Sequence, residues 1–95
     1  MAPPPEVAPP LTVAPEWATL RRVIAELRGR REAQGLSRTA LAQRVGVKTS
    51  YLAHVERGEA DPRYMVLADL ARELGTTIGE VFGRADSAAR PWAQR

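Results

Sequence analysis

Between residues 16 and 83, apolar side chains recur at three- and four-residue steps in five stretches separated by glycine or proline, the spacing of helices that each bury one face. Trp17, Leu20, Ile24 and Leu27 mark the first stripe, with Arg21, Arg22, Glu26 and Arg28 largely off it. Pro15 suits a first helical turn, Glu16 complements its positive end, and Gly35 supplies a left-handed stop. Gly29, which costs about 1 kcal/mol relative to alanine inside a helix, marks a candidate bend. Ser37 is the expected cap of a second, two-turn helix carrying Leu41, Ala42 and Val45 and ended by Gly46. Leu52 and Val55 give a third helix its buried edge, with Tyr51 beside them and Gly58 as the stop. Pro62 is expected to open a fourth, whose Leu67, Leu70, Ala71 and Leu74 share a face before Gly75. Thr77 and Glu80 make a capping box ahead of Val81 and Phe82, predicting a fifth helix. No strand pattern is present, so the predicted fold class is all-α: a compact five-helix domain over residues 15–83.

The ends read differently. Six of the eight prolines fall within the first fifteen positions. Proline removes backbone donors and fixes φ, so residues 1–14 are expected to form a disordered, polyproline-like arm. From Arg84 the periodicity lapses apart from an isolated Trp92, predicting a short C-terminal tail over 84–95. One small core is what remains. A domain of about 65 residues buries only about 60% of the surface its unfolded chain exposes, which favours pairing with a second copy. The chain has no cysteine, which excludes disulfides, thiolate zinc sites and thiol nucleophiles and points to a reducing, cytoplasmic setting. No apolar run approaches the roughly 18 residues of a membrane span, and the start lacks the basic and apolar regions of a signal peptide.

The net charge of +3 is unevenly placed. From Arg21 to Gly58 nine basic residues (Arg21, Arg22, Arg28, Arg30, Arg31, Arg38, Arg44, Lys48 and Arg57) stand against three acidic ones (Glu26, Glu32 and Glu56), a local +6 that leaves −3 for the remainder. Such a directional field suits a polyanion meeting one face, although a solvated basic helix has the same composition. Thirteen of the fourteen basic residues are arginine, which with the abundant alanine hints at a high-GC bacterial genome.

The informative set is Leu36-Ser37, Leu41-Ala42, Val45-Gly46-Val47, Leu52, Val55 and Glu56-Arg57-Gly58. It describes two short helices crossing over a glycine turn. Ala42 is small where the second helix must cross closely, Gly46 permits a sharp turn, and the remaining apolar residues pin both helices to one core. The outer face of the third helix is left free. With Arg30 or Arg31 seven residues before the serine, a proline at 62, the Leu-Ala-x-x-Leu-Gly run at 70–75 and a final short helix, the order from about Leu27 to Phe82 resembles the phage-repressor and Cro-like helix-turn-helix family, the XRE type.

That resemblance implies roles for particular residues. Arg31 would pair with Glu56 and lock the recognition helix, about 48–57. Thr49, Ser50 and His54 would lie where the family reads base edges in the major groove; positions 50 and 54 are one turn apart on one face. Arg38, Lys48 and Arg57 would flank them and meet phosphates, with Arg44 and Arg63 as further candidates. Lys48 stands where a serine or threonine cap is usual, so the helix has an alternative start at Thr49, and Arg63 likewise replaces a usual cap. The implied partner is double-stranded DNA, bound by a homodimer on an inverted repeat, with Trp17 and Trp92 as interface candidates. Small single-domain regulators such as restriction-modification controller proteins are similar in having no ligand domain.

The inventory argues against an enzyme: there is no paired-carboxylate constellation, no phosphate-binding glycine loop, no metal-ligand cluster, and the one histidine has no evident partner. No cofactor is expected. The alternative reading is a protein-interaction module on the same fold, such as an antitoxin or a regulator antagonist. Arg38, Lys48 and Arg57 around the third helix favour DNA over that reading.

Overall fold

The computed structural model describes residues 16–89, with side chains placed through Ser87. Its element order is α1 (Glu16–Ala33), α2 (Arg38–Val45), α3 (Thr49–Glu56), α4 (Tyr64–Glu73) and α5 (Ile78–Ala89). The arm over 1–14, Pro15 and Trp92 lie outside the described residues.

The first four helices end alike. In each a glycine with φ between 70° and 83° (Gly35, Gly46, Gly58, Gly75) follows the last turn, and the next residue's N–H returns to a carbonyl five positions back: Leu36 to Arg31, Val47 to Ala42, Glu59 to His54 and Thr76 to Ala71. This is the Schellman closure, which needs a left-handed residue after the cap. At the other ends the caps differ. Ser37 Oγ accepts from Ala40 N at 3.0 Å, and Thr77 Oγ1 accepts from Glu80 N at 3.2 Å while donating to the Glu80 carboxylate. Pro62 precedes α4 without entering it, because Arg63 is the cap and Tyr64 the first helical residue.

One core joins all five helices. Val23 and Leu27 of α1, Leu41 and Ala42 of α2, Leu52 of α3, Leu67, Leu70 and Ala71 of α4, and Ile78, Val81 and Ala85 of α5 are buried together, with Leu74 at the end of α4. The stripe on α1 holds at Ile24 and Leu27, which are buried, and at Leu20, which packs partly buried against the core; Val23 and Arg31 are buried with them, whereas Trp17 is 62% exposed.

The expected lapse at Arg84 is also corrected. α5 runs six residues beyond Gly83, to Ala89. Ala85 is buried against the core, and the Arg84 guanidinium clamps Glu26 of α1 at 3.0 and 2.7 Å. Glu26 also accepts from Arg30 at 2.8 Å. The hydrogen bond from Arg84 holds the Glu26 carboxyl below its usual range, outweighing its partial burial, with Arg30 adding to the effect. Gln34 completes the frame by donating to the Leu74 carbonyl at the end of α4, at 3.0 Å.

Candidate nucleic-acid interface

The turn between α2 and α3 turns on two small residues. Gly46 takes φ +76°, which a side chain would strain, and Ala42 is fully buried where the chain doubles back, its carbonyl accepting from Val47 N at 3.0 Å. Leu52 and Val55 point α3 inward. The same phase leaves Thr49, Ser50 and His54 exposed, with Tyr51 half-buried at the edge.

Glu56 fixes the last turn of α3. Its Oε2 accepts from Arg31 Nε at 2.7 Å, its Oε1 from Arg31 Nη2 at 3.0 Å and from Arg38 Nε at 2.8 Å. Arg31 spends its remaining donor on the Leu36 carbonyl at 2.8 Å. The Glu56 and Arg31 side chains are only 5% and 8% exposed, so this bidentate pair is an interior tie between α1 and α3, with Arg38 adding α2. Burial alone pushes the Glu56 carboxyl up, but the hydrogen bonds and charges of Arg31 and Arg38 outweigh it and hold the group below its ordinary value.

The five cations proposed to flank the groove divide into two groups. Lys48, Arg44 and Arg63 are exposed and form no ion pair among the described residues. Lys48 is the N-cap of α3 with extended backbone and no side-chain cap hydrogen bond, so α3 begins at Thr49; Arg63 stands in the same way before α4. Each therefore sets a cation beside uncapped backbone N–H groups, which favours an anion. Arg38 and Arg57 are engaged instead, Arg38 with Glu56 and Arg57 with Glu59 at 3.1 Å.

Glu59 is the residue that sequence reasoning passed over. Its Oε1 lies 2.9 Å from His54 Nδ1 as well as near Arg57. Hydrogen bonds from Arg57 and His54 lower its carboxyl, and the bond to Glu59 raises the Arg57 guanidinium. A signal for it existed in the Glu-Arg-Gly-Glu run, because the residue after a left-handed glycine returns over the third residue before the cap.

A second surface lies around the start of α1. Trp17, Tyr64 and Met65 are the exposed large apolar residues, and a groove of about 420 Å³ runs between Glu16, Trp17, Leu20, Asp61, Pro62, Tyr64, Leu67 and Phe82. The Arg21 guanidinium sits over the Trp17 ring, 5.5 Å from its centre. Among the described residues, no cluster of three or more His, Asp or Glu side chains could hold a metal ion. No described helix is long and apolar enough to cross a membrane.

Comparison with known proteins places this geometry. A 56-residue stretch is 38% identical to an uncharacterized HTH-type transcriptional regulator of Sinorhizobium fredii; it covers 59% of this chain and 29% of that protein, so the chain spans under a third of that relative's length. The clp gene regulator ClgR of Corynebacterium glutamicum is similar in structure, with a TM-score of 0.65 at 29% identity over 79% of this chain and 81% of that one. An HTH_3 family transcriptional regulator of Vibrio cholerae also matches with a TM-score of 0.65, at 27% identity over 78% of this chain and 42% of that one. A family model described as a helix-turn-helix domain matches residues 24–81, from the buried face of α1 to the first turn of α5, and on that match this chain belongs to the helix-turn-helix domain family.

Proposed function

We propose that this chain is a sequence-specific DNA-binding transcription regulator that sets α3 in the major groove. The observation that carries the reading is the outer face of α3. Thr49, Ser50 and His54 are exposed together there, beside the unpaired cations Lys48 and Arg44. Serine and histidine at these positions have the reach and hydrogen-bonding capacity to meet base edges, while the cations meet phosphates and set register. Arg38 and Arg57 serve the same face from tethered positions, and Arg63 contributes at the start of α4.

The working form in this proposal is a homodimer on an inverted repeat whose half-sites are about 10 base pairs apart, one helical turn. The exposed Trp17, Tyr64 and Met65 support a second copy, since a small domain gains most from covering such a face.

Selection of bound sequences from random duplex DNA tests the reading. A short inverted repeat is expected; recovery of nothing above background would turn the search to a protein partner. On the selected site, Lys48→Ala is expected to weaken binding to all sequences alike. It should also reduce the slope of log affinity against log salt by about 0.9, one phosphate contact. Fluorescence anisotropy across a salt series measures both.

A further inference from the structure

We propose that Glu59 determines which base His54 selects, by holding the imidazole in the tautomer whose outward nitrogen accepts a hydrogen bond. This rests on the major-groove reading of α3. The argument begins in the backbone. Gly58 at φ +75° lets Gly58 N bond to Val55 O at 3.0 Å and Glu59 N to His54 O at 2.8 Å, which folds residue 59 back over residue 54.

Three side-chain atoms then form a closed triangle. Glu59 Oε1 is 2.9 Å from His54 Nδ1 and 3.1 Å from Arg57 Nη2, and that Nη2 is 3.3 Å from His54 Nδ1. A guanidinium only donates and a carboxylate only accepts. A bare Nδ1 at 2.9 Å from a carboxylate oxygen would set lone pair against lone pair, so Nδ1 carries the hydrogen and donates to Glu59, and Arg57 donates to the same oxygen. In the neutral ring the other nitrogen, Nε2, is then an acceptor.

An acceptor has a defined preference in the major groove. It takes the amino groups of adenine N6 and cytosine N4, and it is repelled by the O6 and N7 acceptors of guanine. Without the carboxylate the nearest partner of Nδ1 is Arg57, which donates to it; the hydrogen then resides on Nε2, which becomes a donor suited to guanine. Protonation of the ring has the same effect at Nε2. Among the described residues, the charged groups in contact with His54 are Glu59 and Arg57; Glu56 is two residues, and so about 200°, around the helix, tied to Arg31 of α1 and Arg38 of α2, and Arg28 and Glu32 of α1 pair with each other at 3.3 Å.

Two substitutions in the full chain separate the tautomer from simple charge. Glu59→Ala removes the acceptor, whereas Glu59→Gln removes the charge and one of the two acceptor oxygens but keeps the other for Nδ1. ¹⁵N-edited NMR of the free protein at about pH 8 should show hydrogen on Nδ1 in the parent and in E59Q, and on Nε2 in E59A. In duplex selection at about pH 8, parent and E59Q should prefer adenine or cytosine at one step of each half-site by about fivefold, the worth of one hydrogen bond. E59A should prefer guanine there. An unchanged ring tautomer in E59A overturns the inference, as does an unchanged base at that step. A uniform rise in affinity shared by E59A and E59Q would reveal relief of charge repulsion only and overturn it equally. Those results leave a selected sequence standing; absence of any selected sequence removes the major-groove reading and this inference with it.

Discussion

Replacing Arg31 with alanine is expected to remove about 3 kcal/mol of stability, the low end of the cost of stranding one member of a buried ion pair. The low end applies because Arg38, 2.8 Å from Glu56, remains as a partner. A domain of this size has roughly 4–10 kcal/mol in all, so the loss takes about 30% or more of it. The effect should depend on pH with a definite sign. In the parent the Glu56 carboxyl is held below its ordinary 4.5. Its contribution is therefore complete above about pH 4.5 and is lost as pH falls through the lowered folded value. Without Arg31 the carboxyl loses the larger of its two arginine hydrogen-bond effects and rises from its parent value, so the variant suffers less from acid. Urea denaturation followed by circular dichroism at about pH 7 and about pH 3.5 should show the gap between parent and variant narrowing at the lower pH. A gap of the same size at both values would mean that lost packing of the arginine stem, and not the ion pair, accounts for the cost.

That pair was legible before any coordinates because its spacing came with the family resemblance, and α2, α3 and α4 were legible because each has an apolar stripe bounded by a glycine or a cap. On α1 the stripe was legible at Leu20, Ile24 and Leu27 but not at its start: Trp17 outweighs Val23 in any reading that ranks by side-chain size, yet Val23 is buried and Trp17 is exposed. α5 was cut short for a related reason. The stretch Arg84-Ala85-Asp86-Ser87 carries no large apolar residue, and the evidence for helix there is the burial of Ala85 and the clamp from Arg84 to Glu26, 58 residues away. Distance along the chain hid that clamp; distance of only five residues hid the contact between His54 and Glu59, since helical spacing pairs positions three or four apart and a Schellman turn adds one. Arg38 shows the limit of reading charge from sequence. The carboxylate that pairs with it, Glu56, belongs to another helix, so the tether is invisible in the spacing of α2.

Leu52→Ala is expected to cost about 4 kcal/mol, toward the upper part of the range for emptying a buried leucine site. Leu52 is 2% exposed in the centre of the core, and a small gap of about 10 Å³ already lies beside it, lined in part by Ile24, Leu27, Leu41, Val55 and Leu70. The new cavity would merge with that void, and cost grows with cavity volume. The same void predicts an opposite result one turn along. Val55 lines the gap, and Val55→Ile, which adds a single methylene, should stabilise by about 0.8 kcal/mol where the methylene fills it. Urea midpoints of the two variants at unchanged slope test both signs. The functional consequence follows from how α3 is held. Its inward anchors are Leu52 and Val55, and its last turn is tied through Glu56. Loosening the middle anchor therefore frees the helix that carries Thr49, Ser50 and His54. In Leu52→Ala, selected DNA should raise the urea midpoint with the logarithm of its concentration over its dissociation constant, because it binds only the docked helix. A loss below about 1 kcal/mol would mean that α3 holds its place through the Glu56 tie alone, and the Arg31 variant would then be the one to release it.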